Sequence, residues 1–327
     1  MARADISVVV GDTGAGALLR RLRSVLDIRY LGLLTSISTY ALIVWGGVVR
    51  VTDSGLACPD WPRCHGQLIP PFSTPVFFEY SHRIAAASVS LLVVGTAVVA
   101  WLWHRENRFV LAGATLAVPV LITQVLVGAV TVNLELPETV VAVHLAIALA
   151  LLAVLIVTTA AAIWERRRPG ASAPASRDHP SWRSFPVLAA VAAAATLVLI
   201  LIGSYVANSG ASLVYPDWPL FNGRLVTAGG RLANLHYAHR LVAVVVGLLV
   251  LALMAKAWQS ERRPVIVAVV SAALVLYMAE VFVGASNIWF SLAESARIAH
   301  LALASALWAT LVFGAAWAYA ERRVTGE

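Results

Sequence analysis

Four histidines of this chain are spaced as two similar pairs. His82 and His144 lie in the first half of the sequence, and His239 and His300 lie in the second half at nearly the same mutual spacing. Imidazole nitrogens are common ligands for zinc, copper and iron. The pattern therefore raises the question of which elements bring each pair together and what the pair holds.

The composition predicts that these histidines lie in a membrane protein. Of the 327 residues, 60% are hydrophobic and only 13% are charged, and the mean hydropathy is +0.81, well outside the usual composition of a soluble domain. Apolar runs rich in Ala, Leu and Val are long enough to cross about 30 Å of hydrocarbon, and they predict helices rather than barrel strands. Eight such runs lie at about 31–49, 80–103, 109–132, 138–164, 185–206, 234–259, 264–286 and 294–320.

The placement of the arginines predicts the orientation. They concentrate before the first run, in alternate loops and after the last run, so both termini are predicted to be cytoplasmic. A basic patch for nucleic acid is the rival interpretation, but most of these arginines lie close to helix ends, so no nucleic-acid partner is expected. The first 30 residues show no apolar core with a cleavage site, so no removable signal peptide is expected.

An internal repeat covers most of the chain. SGLACPDWPRCHGQL aligns with SGASLVYPDWPLFNGRL, EYSHRIAAAS with HYAHRLVAVV, QVLVGAVTV with EVFVGASNI, and VVAVHLAIALALL with ARIAHLALASALW. Each copy contains four predicted helices, and an even number gives both copies the same orientation. The sequence therefore predicts an all-α integral membrane protein built from two tandem four-helix-bundle repeats.

The repeat also predicts the domain boundaries. They are an N-terminal arm at 1–30, a first repeat at 31–164, a cytoplasmic linker at 165–184, a second repeat at 185–320 and a cytoplasmic tail at 321–327.

Each histidine pair suits the two axial positions of a haem iron. The two histidines of a pair lie at similar depth on two helices of one bundle, and bundles build cofactor sites from facing side chains. Zinc would require a third or fourth ligand, and neither a carboxylate nor a thiolate is repeated beside both pairs. A single histidine in a membrane helix is more often a hydrogen-bonded core residue, but four at matched depth favour haem.

Three arginines are candidate ligands of haem propionates. Arg83 and Arg240 directly follow His82 and His239, and Arg297 lies three residues before His300. A cation is unfavourable at a predicted helix N-terminus unless an anion lies nearby, and propionates are suitable anions. The alternative is that these side chains extend to the lipid headgroups.

Glu79 breaks the repeat beside one histidine pair. It lies three residues before His82, on the same face of the helix, and its counterpart in the second half is His236. Glu79 could simply complement the helix dipole, but a role in moving protons or positioning a substrate is at least as well supported. Glu280, whose counterpart is Gln124, is a lesser candidate.

Two cysteines form the second break in the repeat. Cys58 and Cys64 lie in one short loop on the predicted outer side, and the second half has no cysteine. Their number and location suggest a disulfide, with two free thiols or a metal site that includes His65 as alternatives.

Taken together, these motifs resemble the haem A synthase family, of the bacterial type with a cysteine pair. The resemblance covers about 31–320 and rests on VRVTDSGLACPDWPRCHGQ, EYSHR, QVLVGAVTV, VVAVHLA, YPDWPLFNG, HYAHR and RIAHLA. It implies a multi-pass oxidoreductase of the plasma membrane that converts a ring methyl of haem O to a formyl group by two successive hydroxylations. The product, haem A, would serve the terminal cytochrome oxidase.

The resemblance also implies residue roles and partners. His239 and His300 would ligate haem b, while His82 and His144 would face or ligate the substrate haem O, with Glu79 as a further candidate catalytic residue. Cys58 and Cys64 would form a disulfide that shapes the substrate entrance. The implied partners are haem O synthase, cytochrome oxidase assembly factors and an unidentified electron donor or acceptor.

Two rival functions use the same histidines. A bis-histidine membrane cytochrome would transfer electrons without modifying haem, but it leaves Glu79 and the one-sided cysteine pair unexplained. A transporter with parallel repeats would use the histidines as a proton relay and bind no haem.

Overall fold

The computed structural model describes residues 27–167, 184–226 and 229–325, and every regular element in these ranges is helical. Within these ranges eight helices are long and apolar enough to cross a membrane, which confirms the predicted all-α, multi-pass architecture. They are α1 (Ile28–Val51), α2 (Thr74–Trp103), α3 (Arg108–Asn133), α4 (Glu138–Arg167), α5 (Phe185–Asn208), α6 (Arg231–Lys256), α7 (Pro264–Trp289) and α8 (Glu294–Thr325).

Parts of the predicted domains lie outside the described residues. These are most of the N-terminal arm (1–30), most of the linker (165–184) and the end of the tail (321–327).

Helix α2 begins six residues earlier than its apolar run. The Ser73 hydroxyl accepts a hydrogen bond from the Val76 N–H at 3.4 Å, and Pro75 occupies the first turn, so capping chemistry rather than hydropathy starts this helix. Arg231 likewise starts α6 ahead of its apolar run. The prediction that Arg83 and Arg240 lie at helix N-termini is therefore wrong, because both lie in the third turn of their helices.

The helices pack with the same pairings in each half. In the first half α1 packs against α2 and α4, and α3 packs against α2 and α4; in the second half α5 packs against α6 and α8, and α7 packs against α6 and α8. The halves meet where α1 and α4 contact α8 and where α4 contacts α5. The polar contacts that cross this seam include the Tyr40 hydroxyl, which donates to the Ala302 carbonyl at 3.0 Å, and the Arg50 guanidinium, which donates to Asn208 Oδ1 at 3.0 Å.

Small residues let the helices approach closely. A Cβ added at Gly32 on α1 would lie 2.5 Å from the hydroxyl oxygen of Thr159 on α4, and one added at Gly47 would lie 2.5 Å from the Leu301 side chain on α8. Membrane helices gain little from hydrophobic association, so such van der Waals contact between small residues stabilises their packing.

The two loops that precede α2 and α6 have the same local structure. In the first long loop (52–73) the Asp60 carboxylate accepts hydrogen bonds from the backbone N–H groups of His65 at 2.6 Å and Gly66 at 2.8 Å. In the second long loop (209–226) a matching pair of bonds reaches the Asp217 carboxylate, from Asn222 at 2.7 Å and Gly223 at 2.8 Å. These donors lower the pKa of both aspartates, so each carboxylate stays charged at neutral pH.

The packing at Gly32 provides a test of the helix arrangement. We expect Gly32→Val to lower the midpoint of thermal unfolding in detergent, because the added side chain meets the stiff, β-branched Thr159; overpacking of this kind costs about 1–3 kcal/mol. Gly95→Val on α2 is the matched control, since nothing lies within 4 Å of a Cβ at Gly95. Equal midpoints for the two variants would contradict the close α1–α4 contact.

Candidate functional site

Each of the four paired histidines lies against a glycine of the preceding helix. A Cβ added to the glycine would lie about 3 Å from Cε1 of the histidine ring, so the ring occupies the space that a side chain would fill. The contacts are Gly46 on α1 with His82 on α2 at 3.1 Å, Gly128 on α3 with His144 on α4 at 3.0 Å, Gly203 on α5 with His239 on α6 at 2.9 Å, and Gly284 on α7 with His300 on α8 at 3.2 Å.

The glycines were missed in the sequence analysis, although a signal was present. Gly46 and Gly203 are separated by the same offset as their histidines, and so are Gly128 and Gly284. Glycine is common in membrane helices, so only the internal repeat distinguishes these four glycines from the other glycines of the apolar runs.

The separation of His239 and His300 fits a metal held between them. Their ring centroids are 6.4 Å apart, with an angle of 74° between the ring planes. A metal–imidazole bond is about 2 Å long, and roughly 1 Å more separates the ligating nitrogen from the ring centre, so two axial imidazoles on one iron stand about 6 Å apart. The second pair of histidines therefore fits the axial ligation of a haem iron.

Buried imidazole nitrogens in both pairs lack hydrogen bonds. Nδ1 of His82, His144, His239 and His300 is buried without an aligned hydrogen bond among the described residues. A buried polar atom of this kind is costly. Four such atoms on matched histidines favour a binding site over an ordinary protein core.

Polar residues on α3 and α7 approach the last histidine of each half. Gln124 Nε2 lies 3.2 Å from His144 Nε2, and Glu280 Oε1 lies 2.9 Å from His300 Nδ1. Both side chains thus lie next to a histidine ring, although Glu280 was only a lesser candidate from its sequence position.

Glu79 connects helix α2 to the first long loop. Its side chain is 4% exposed, and Oε1 forms an ion pair with Arg83 Nη2 at 2.5 Å. Oε2 accepts a hydrogen bond from the backbone N–H of Cys58 at 2.7 Å. The structure therefore unites two features that break the repeat, the glutamate and the cysteine pair.

Arg83 and its counterpart hold the two long loops against the bundle. The Arg83 guanidinium donates to the carbonyls of Cys58, Asp60 and Arg63 at 2.6–2.9 Å. The Arg240 guanidinium donates to the carbonyls of Tyr215, Asp217 and Leu220 at 2.8–3.4 Å. Loop carbonyls thus accept most of the hydrogen bonds that each guanidinium donates.

The other side-chain partner of this arginine differs between the two halves. In place of the Glu79–Arg83 ion pair, the Arg240 Nε–H donates to His236 Nε2 at 3.2 Å.

Arg297 on α8 differs from both other arginines, because its side chain donates no hydrogen bond within the described part of the chain. The propionate role predicted for all three arginines stays a prediction, and Arg297 is the one whose donors are left for it.

The cysteine pair forms the predicted disulfide. Cys58 and Cys64 are joined by a disulfide, and both are fully buried. The alternatives of free thiols and of a metal site with His65 are therefore wrong, and no group of three or more metal-ligating side chains of the His, Cys, Asp and Glu types occurs in the described ranges. In the second long loop the corresponding residues, Tyr215 and Phe221, form an edge-to-face ring pair with centroids 5.1 Å apart.

Comparison with known proteins matches this sequence to a described family and to named relatives. A family model described as "Cytochrome oxidase assembly protein" matches residues 29–75 and 72–312. Three curated relatives carry the name "Heme A synthase". The protein of Halalkalibacterium halodurans is 30% identical over 72% of this chain and 77% of its own length. That of Alkalihalophilus pseudofirmus is 29% identical over 69% and 75%, and that of Geobacillus thermodenitrificans is 26% identical over 88% and 90%.

The contact between Glu79 and the first long loop can be tested without measuring turnover. We expect Glu79→Gln to accelerate reduction of the Cys58–Cys64 disulfide by a membrane-impermeant phosphine, because the uncharged amide no longer neutralises Arg83, and the loop that Arg83 holds becomes looser. The measurement is thiol labelling over time. Glu135→Gln, a change of an exposed carboxylate before α4, is the matched control; identical reduction rates for parent, control and Glu79→Gln would contradict the proposed coupling.

Proposed function

Because the chain belongs to the cytochrome oxidase assembly protein family, we propose that it is a haem A synthase. In this proposal it oxidises a ring methyl of haem O to a formyl group. Each of two hydroxylations replaces one C–H bond of the methyl by a C–O bond, and the resulting geminal diol loses water. An oxygen source and an external electron carrier complete the redox balance.

The observation that carries the proposal is the fourfold histidine–glycine contact. Two bundles each present two partly buried imidazoles at matched positions, and the ring separation of 6.4 Å between His239 and His300 suits one iron. Side chains alone cannot hydroxylate an unactivated methyl, so a haem centre has to participate. A protein with two such sites can devote one to a resident haem and one to a haem substrate.

We propose that the resident cofactor binds at the C-terminal site. His239 and His300 would hold haem b, which when bound supplies one-electron transfer. Arg297, three residues before His300, would pair with a propionate, while Arg83 and Arg240 act mainly on the loops.

The N-terminal site is the proposed substrate site. His82 and His144 would ligate or face haem O, and Glu79 lies one turn before His82, where a carboxyl group can hold or pass a proton beside the substrate. The first long loop, closed by the Cys58–Cys64 disulfide, would shape the entrance. The apolar tail of haem O would extend between helices into lipid.

The remaining parts of the proposal concern cellular context. The arginine distribution supports cytoplasmic termini, and the plasma-membrane location follows from the proposed synthase activity. Haem O synthase would supply the substrate, and cytochrome oxidase assembly factors would receive the product.

A bis-histidine membrane cytochrome is the second candidate function. The His239–His300 geometry supports it equally, since it requires only tightly held haem. It gives no reason for a buried glutamate and a disulfide beside one histidine pair and not beside the other.

The direct test of the activity uses cells that lack their own haem A. We expect co-expression of this chain with a source of haem O to produce haem A or its hydroxylated intermediate, detected by extraction and chromatography of total haem. The readout follows the methyl group itself, which the proposal says is oxidised. Unchanged haem O, together with a bis-imidazole spectrum of the purified protein, would favour the electron-carrying cytochrome.

A division of labour between the two sites can be tested with four alanine variants. We expect His239→Ala and His300→Ala to remove the tightly held haem, because each loses an axial ligand of the resident cofactor. His82→Ala and His144→Ala should retain that haem and lose product formation. Haem content is measured as the pyridine haemochrome, and equal haem loss in all four variants would count against the division.

A further inference from the structure

Helices α3 and α7 present the same two-residue arrangement to the histidine that each faces. Gln124 lies four residues before Gly128, and Glu280 lies four residues before Gly284. Residues at this spacing share a helix face, so each histidine ring rests on the glycine with a polar side chain one turn away. The polar group is an amide in the first half and a carboxyl group in the second.

The two polar groups approach different nitrogens. Gln124 Nε2 lies at hydrogen-bonding distance, 3.2 Å, from His144 Nε2. Glu280 Oε1 lies 2.9 Å from His300 Nδ1. The Glu280–His300 contact lies within hydrogen-bonding distance but is not aligned as a hydrogen bond, so Nδ1 of His300 counts among the buried nitrogens without a hydrogen-bond partner.

We propose that Glu280 is a positioning residue that holds His300 through Nδ1 and leaves Nε2 for the haem iron, whereas Gln124 occupies the nitrogen of His144 that an axial ligand needs. The inference rests on the proposed function and deepens it. It gives a physical reason for the C-terminal site to retain its haem and for the N-terminal site to exchange haem O for product.

The chemistry of the two contacts supports this difference. When an amide N–H donates to an imidazole nitrogen, it uses the lone pair that would otherwise coordinate a metal. His144 must therefore give up its bond to Gln124 before it can ligate haem O. A carboxylate behind the other nitrogen has the opposite effect, because it orients a ligating imidazole and increases its basicity.

The surroundings of Glu280 leave it no other evident role. Its side chain is 12% exposed in the apolar α7, and its second oxygen is buried without a hydrogen-bond partner among the described residues. A buried carboxyl group is unfavourable unless a charged or hydrogen-bonding group faces it. Within the described ranges His300 is the group that does so.

The test is a redox titration of the purified full-length protein in its haem-loaded form. We expect Glu280→Gln to keep the resident haem and to raise its midpoint potential, because loss of a negative charge behind the axial ligand disfavours the ferric state. The expected shift is about a tenfold change in the ratio of oxidised to reduced haem at a given potential, or about 59 mV for a one-electron couple. The low-spin ferric haem signal in the electron paramagnetic resonance spectrum should change as well.

A second variant probes the other half. Gln124→Leu removes the amide from His144, so we expect several-fold more haem O to remain on the protein after washing, with no change in the potential of the resident haem. If Glu280→Gln does not accumulate, Glu280→Asp serves in its place, and the shorter carboxylate should move the potential in the same direction by less. An unchanged potential in a haem-loaded Glu280 variant, or no gain of haem O in Gln124→Leu, would overturn the proposal.

These outcomes are separate from the fate of the proposed activity. If the parent chain forms no haem A while Glu280→Gln still shifts the potential, the synthase proposal fails and the positioning role stands. If the parent chain forms haem A while Glu280→Gln leaves the midpoint potential unchanged, the synthase proposal stands and the positioning role of Glu280 fails.

Discussion

The close approach of an imidazole ring to the backbone of a neighbouring helix is the contact on which this structure depends. At all four histidines the neighbour is a glycine, and a Cβ added there would lie only 2.9–3.2 Å from Cε1 of the ring, so a larger residue requires the ring or the helix to shift. Because lipid supplies little force for helix association, tight van der Waals contacts of this kind determine how near two membrane helices lie. The same four contacts thus define both the helix spacing and the position of the rings.

Adjacent glycines on α1 extend this constraint across the two halves. Gly46 lies against His82, and the next residue, Gly47, lies against Leu301, the neighbour of His300 in sequence. A shift of α1 would therefore move the packing beside both histidine pairs together. The contact of Tyr40 with the Ala302 carbonyl fastens the same two helices at 3.0 Å. The geometry of one site is not independent of the other.

Hydropathy alone predicts the eight spans because the length of an apolar run is a property of the local sequence. It misplaces the start of α2 because the Ser73 cap and Pro75, not apolar residues, begin that helix. The dipole argument for Arg83 failed for the same reason, and it also left out the loop carbonyls, which come near only after folding. The disulfide was predictable from two cysteines in one short loop, whereas the contact of Glu79 with the Cys58 N–H required three-dimensional structure.

Comparison of the two long loops shows which of their features are common to both halves and which differ. Each contains a cis Trp–Pro bond and an aspartate that accepts two backbone N–H groups, and three carbonyls of each loop accept from an arginine of the following helix. One loop is closed by a disulfide and the other by the ring pair of Tyr215 and Phe221 at the corresponding positions. Since the second loop reaches this conformation without a covalent link, the shape of the loop does not require the disulfide. The disulfide and Glu79, which accepts from the Cys58 N–H, therefore mark a chemical difference between two halves that share a local backbone structure.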